Sequence, residues 1–212
     1  MIKRTIRSLC VTGALVVASN CVMAQGNSWY VAGGLGVSFA NDVDIKQLGA
    51  TISTDFDTGA MATAAIGHNF ENLRIEGEFA YMQNDVSSLK AFGVGVDASG
   101  DVSTASLMAN VYYDFDTGSK WKPFIGAGAG YSSVSINSLS AGGFLLADDD
   151  TGVFAYQLKA GIGYGFTENL DGTLGYRFFG TADGDFVDTS GTPFTADGLQ
   201  NHVIELGVRY RF

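Results

Sequence analysis

Apolar and polar residues alternate with a period of two along much of the chain, most clearly in the segment 202–212. From Ile204 onward Ile204, Leu206, Val208, Tyr210 and Phe212 take the even positions, and Glu205, Gly207, Arg209 and Arg211 the odd ones. Successive side chains of a strand point to opposite faces of its sheet, so this segment predicts a strand with one greasy face and one charged face. Seven more segments of about ten residues repeat the pattern: 29–39, 60–70, 73–81, 103–115, 121–131, 154–166 and 170–179. Segment 73–81 sets Leu73, Ile75, Phe79 and Tyr81 against Arg74, Glu76 and Glu78. Segment 170–179 sets Leu174, Tyr176 and Phe178 against Asp171, Thr173 and Arg177.

The connections between these strands alternate in length. Those at 71–72, 116–120 and 167–169 are short turns, whereas 40–59, 84–102, 132–153 and 180–201 are long and read as loops. Short turns on one rim and long loops on the other suit an eight-stranded antiparallel up-and-down barrel in a membrane. A soluble barrel of eight strands also alternates, with its apolar face inside, and alternation alone does not say which face points in.

Three features favour the membrane. Aromatic residues crowd the strand ends of the apolar face: Trp29, Phe70, Phe115, Trp121, Phe166 and Phe212 toward the short turns, and Phe39, Tyr81, Tyr131, Phe154 and Phe178 toward the long loops. Two such bands match the girdles found at membrane interfaces. The polar face carries Arg74, Glu76, Glu78, Lys159, Arg177, Glu205, Arg209 and Arg211, a mixture of signs that can pair inside a lumen. Residues 1–24 read as an export signal: Lys3, Arg4 and Arg7, an apolar run to Ala18, and Val22-Met23-Ala24 as a cleavage site. The mature domain is then 25–212. Cys21 as a lipid-attachment site is the weaker reading, because Ala18-Ser19-Asn20 places no small residue directly before it.

Both cysteines, Cys10 and Cys21, leave with this leader, so disulfides play no part in the mature chain. The formal charge of −10 becomes more negative on removal of the leader, which argues against a nucleic-acid partner. No apolar run after the leader is long enough for a transmembrane helix, leaving a closed barrel as the way to satisfy the backbone in lipid.

The stretches Trp29 to Gly36, Lys122-Pro123-Phe124-Ile125-Gly126-Ala127-Gly128-Ala129-Gly130-Tyr131, Leu174-Gly175-Tyr176-Arg177-Phe178 and Val208-Arg209-Tyr210-Arg211-Phe212 resemble the small outer-membrane β-barrel family of Gram-negative bacteria, which includes the OmpA, OmpX and opacity-type surface proteins. The resemblance implies a cell outer-membrane location and a role for terminal Phe212 as the signal read by the barrel-assembly machinery. It defines a fold rather than an activity.

An eight-stranded barrel is about wide enough for side chains to fill. Glu76, Glu78, Glu205, Arg177 and Arg209 then predict a buried ion-pair network, read first as a structural plug and otherwise as a narrow gate for ions or small solutes. His68 and His202 fall at opposite rims, about 25 Å apart, so they cannot share a metal or catalytic site. No Gly-x-Ser-x-Gly elbow appears, and neither enzyme activity nor a cofactor is expected. The long loops hold nearly all of the excess negative charge, with Asp148-Asp149-Asp150 the densest run. They read as a solvated surface, or as carboxylates sharing divalent cations with lipopolysaccharide phosphates. The expected protein is a monomeric integral barrel with a structural or surface-interaction role: envelope integrity, adhesion, or binding of host or serum factors through its loops. Its expected partners are outer-membrane lipid, lipopolysaccharide and the assembly machinery. A narrow porin-like channel is the alternative.

Overall fold

The computed structural model describes residues 27–41, 43–47, 50–56, 58–91, 94–141, 144–187 and 192–212, and the leader lies outside them. Twelve strands follow in chain order: β1 (Asn27–Ala40), β2 (Val43–Gln47), β3 (Ala50–Phe56), β4 (Gly59–Phe70), β5 (Leu73–Ala91), β6 (Val94–Asp114), β7 (Trp121–Ala141), β8 (Phe144–Gly165), β9 (Leu170–Thr181), β10 (Gly184–Val187), β11 (Pro193–Ala196) and β12 (Gln200–Arg211).

Eight of these close on themselves. β1 pairs with β4 and β12, and the circuit returns through β5, β6, β7, β8 and β9, every pairing antiparallel. Closure leaves no unpaired edge at membrane depth, the condition for a sheet to sit in lipid. The register of β1 with β12 sets Leu35 opposite Leu206, and Leu206 faces Leu174 on its other side. On the short-turn rim, Glu71 adopts φ 54°, the left-handed conformation that tight two-residue hairpins use. The Asp116 side chain accepts the Gly118 N–H at 2.9 Å, and Gly118 itself has φ 62°.

The segments that read as long loops are largely strand. β5 and β6 stay paired up to Ala91 opposite Val94, and β7 and β8 up to Ala141 opposite Phe144. β8 has 22 residues, about twice what crosses a bilayer, so its outer half stands above the membrane. β2, β3, β10 and β11 form a small sheet that joins this palisade where β3 pairs with β5. Asp148, Asp149 and Asp150, expected on a loop, therefore have strand backbone within β8, with Asp149 opposite Ile136 and Asp150 opposite Ser135. Asp150 is exposed, while the side chains of Asp148 and Asp149 lie outside the described residues.

The two faces resolve the ambiguity left by alternation. Leu35 is 72% exposed, Leu107 68% and Leu206 65%, although each sits mid-strand in a closed sheet. Trp29, Phe39, Phe70, Tyr81, Phe115, Trp121, Tyr131, Phe154, Phe166 and Phe212 are exposed too, and Phe178 is half-exposed on the same face. A belt of this size, ringed by aromatic residues, needs a hydrocarbon solvent. Three glycines on this face are covered by rings from the next strand: a Cβ on Gly152, Gly172 or Gly180 would collide with Tyr131, Phe166 or Tyr156.

Candidate functional site

Among the described residues, the lumen gathers ionisable groups of both signs into contact, and it is stratified. Nearest the short turns, Asp171 of β9 is fully buried and receives Arg209 Nη2 at 2.8 Å and Nε at 3.2 Å. Arg211 joins it through Nη1 and Nη2, and also donates to the Glu168 carbonyl oxygen at 2.9 Å. Across the lumen Arg74 Nε donates to Asp114 Oδ2 at 2.7 Å, with Arg209 3.7 Å from the same oxygen. The Arg74 guanidinium lies 4.2 Å from the Tyr112 ring centre and 5.5 Å from that of Phe124, within cation–π range.

Arg177 of β9 organises the next layer. All five of its N–H groups are engaged. Nη1 donates to Glu78 Oε1 and Gln157 Oε1, both at 2.8 Å; Nη2 donates to Glu78 Oε2 at 3.0 Å and Glu205 Oε2 at 2.6 Å; Nε donates to Glu205 Oε2 at 3.1 Å. The planar fork of arginine allows this double bridge, which lysine has no geometry to make. Lys159 Nζ also meets Glu78 Oε2, and Thr63 Oγ1 donates to Glu205 Oε1 at 3.0 Å. Glu76, expected in the ion-pair network, is instead held by neutral donors: Tyr30 Oη at 2.9 Å, Tyr112 Oη at 2.8 Å and Asn110 Nδ2 at 3.2 Å.

All eight charged residues expected inside do face the lumen, in two groups that Tyr30 and Tyr112 join through Glu76 rather than in one set of pairs. Asp114, Asp171, Tyr30, Tyr112, Asn110 and Gln157 complete the groups. Each lies at the polar-face parity of its own strand, which was the available signal. Arg74, Lys159, Arg177, Arg209 and Arg211 stand against Glu76, Glu78, Glu205, Asp114 and Asp171, so the plug is formally neutral.

Glycine makes room for the large polar groups. A Cβ on Gly126 would lie 2.3 Å from the Tyr112 ring, and one on Gly128 would lie 1.9 Å from Asn110 Oδ1. Gly126→Ala is therefore expected to push Tyr112 away from Glu76 and cost about 1–3 kcal/mol. Lipid-facing Gly77, with nothing within 4 Å of its Cβ position, should accept alanine within about 0.5 kcal/mol. Urea unfolding of the refolded barrel in lipid vesicles, followed by tryptophan fluorescence, compares the two.

Above the charges comes an apolar layer of Met61, Ala80, Met82, Met108, Ala155, Phe179 and Val203, all buried. Polar groups flank that layer and continue beyond it. Ser38 Oγ donates to Asn201 Oδ1 at 3.0 Å, Asn84 Nδ2 donates to Ser38 Oγ at 3.3 Å, and the Ser106 and Ser132 hydroxyls meet at 2.7 Å. A cavity of about 70 Å³ lies within the charged layers, between Glu76, Glu78, Lys159 and Glu205 and the small residues Ala32, Ala65 and Gly175. The histidines take no part. Both occupy outward positions, His68 against Trp29 and Phe70 and His202 against Tyr176 and Phe178.

Residues 12–212 match the family described as the outer membrane protein beta-barrel domain. Solved structures with this fold include Neisserial surface protein A, at 22% identity and a TM-score of 0.57, with 89% of this chain and 100% of that one covered. OprG from Pseudomonas aeruginosa aligns at 16% identity and a TM-score of 0.61, over 87% of this chain and 96% of that one. AlkL, solved in lipid bilayers, aligns at 17% identity and a TM-score of 0.51, over 92% and 94%. No curated protein matches the chain in sequence. With apolar belt, aromatic girdles and charged lumen in place, the chain belongs to the outer membrane protein β-barrel family and resides in the outer membrane of a Gram-negative bacterium.

Proposed function

We propose that the protein works at the cell surface, as a rigid barrel that presents its outer strand extensions to the medium, and that it does not conduct. The observation that carries this reading is the packed, charge-paired lumen. Arg177 is fully buried in its double bridge, and a buried cluster of three methionines, Phe179 and Val203 lies above it. The 70 Å³ cavity has room for a few waters at about 10–15 Å³ each, far too little for a continuous water-filled channel. Outside the membrane, Asp150, Asp183 and Asp185 are exposed on the strand extensions, where a folded platform can carry specificity. A Neisserial protein of similar fold is itself named as a surface protein. In the same reading β12 is the element handed to the assembly machinery.

Narrow conduction is the second reading, favoured by the side chains of Glu205 and Lys159, which are 18% and 11% exposed inside the lumen. Planar-bilayer recording separates the two. The surface role expects no unitary openings, together with loss of cell or serum-factor binding when residues 132–153 are replaced by a short turn. Steady openings whose size changes in Glu205→Ala would overturn it.

A further inference from the structure

Among the described residues, the outward positions between the two aromatic bands carry no Lys, Arg, Asp or Glu. The ionisable nitrogens there are His68 and His202, one in each band. His202 lies ten residues before Phe212 on β12. At a rise of about 3.3 Å per residue and a strand tilt of about 40°, that is some 25 Å along the membrane normal, the height of the apolar band. His202 therefore stands at the headgroup level of the outer leaflet when Phe212 stands at that of the inner one.

Its surroundings fix what it can offer. Phe39 and Phe178 are its partners on the neighbouring strands, and the Tyr176 ring stacks on it at 6.0 Å with 28° between planes. Tyr176 Oη lies 2.6 Å from His202 Nδ1. A phenol is the better proton donor of the two, so Tyr176 donates to Nδ1 and the imidazole carries its proton on Nε2. The result is an N–H donor held in an aromatic frame at the level of lipid phosphates, on a belt that among the described residues holds no Lys or Arg to meet them.

We infer that His202, oriented by Tyr176, is a binding site for the phosphate of an outer-leaflet lipid, namely lipid A. The outer position selects lipid A over glycerophospholipid, which fills the inner leaflet. The site acts independently of whatever the strand extensions bind.

The test uses the full mature chain in nanodiscs of phosphatidylcholine doped with lipid A, dephosphorylated lipid A or phosphatidylglycerol. The ¹⁵N resonances of the His202 ring are expected to shift with lipid A and with neither of the others. Native mass spectrometry should find lipid A retained about fivefold more than its dephosphorylated form, the scale of one charge-assisted hydrogen bond at a wet interface. His202→Phe should abolish that preference, Tyr176→Phe should weaken it, and His202→Gln, which keeps an N–H donor, should restore part of it. Ring resonances that ignore lipid A, or that move equally with phosphatidylglycerol, overturn the assignment on the wild-type protein alone, whether or not a variant folds.

Discussion

Replacing Arg177 by methionine is expected to destabilise the barrel by about 3–5 kcal/mol, because it leaves Glu205 without a cation and Glu78 with Lys159 alone in a buried lumen. Glu78 loses both of its bonds to the guanidinium and keeps Lys159 and Gln157, while Glu205 keeps only Thr63 among its described partners. The measurement is the urea midpoint of unfolding in lipid vesicles, with electrophoretic mobility before and after boiling to verify closure. A triple variant, Arg177→Met with Glu78→Gln and Glu205→Gln, removes the charges along with their partner. It should recover most of the loss, since the penalty arises from unpaired charge rather than from a missing attraction. If the triple variant is as unstable as Arg177→Met, the plug holds the barrel by shape and not by electrostatics.

How much of this was legible beforehand follows from where each residue sits in the bilayer. Within the membrane the two sides of a strand meet opposite solvents, so alternation is enforced at every step; Leu206 and Arg209 could be assigned to opposite faces without any structure. Above the membrane both sides meet water, and the constraint lapses. The outer halves of β5 to β8, rich in Ser, Ala, Gly and Asp, accordingly read as loops although they continue the hairpins below them. The pairing register that extends them is inherited from the membrane portion, not written locally. Asp148 to Asp150 were misplaced for this reason.

The lumen shows a second limit. Parity says that Glu76 points inward, but which group it meets depends on the stagger between β1, β5 and β6, which brings Tyr30, Asn110 and Tyr112 to it and leaves Arg177 to Glu78 and Glu205. The lone carboxylates Asp114 and Asp171 carried no special mark in the sequence. Their importance comes from lying opposite Arg74 and Arg209 once the sheet closes. The glycines of β7 act in the same way: Gly126 and Gly128 leave space on the polar face that Tyr112 and Asn110 of β6 occupy.

Leu206→Arg is expected to cost about 2–4 kcal/mol in a bilayer, the penalty for a cation on the lipid face near the midplane of a barrel. Leu206 is six residues from Phe212, about 15 Å along the normal by the same rise and tilt, and it is flanked by Leu35 and Leu174. An arginine there cannot reach either headgroup region without bending its stem along some ten ångströms or more of hydrocarbon. Moving the substitution up the same face to Ile204, nearer the outer band, should roughly halve the cost as snorkelling becomes possible. The gradient is the informative quantity, and reversible urea titration in vesicles of fixed chain length measures it. A barrel whose apolar face lined a dry interior would lose more than this at both positions, from overpacking and a buried charge, with no dependence on height. One whose apolar face met water would lose nothing at either. Only a lipid-facing belt makes the penalty fall steadily from Leu206 to Ile204, and thinner bilayers should make it fall faster.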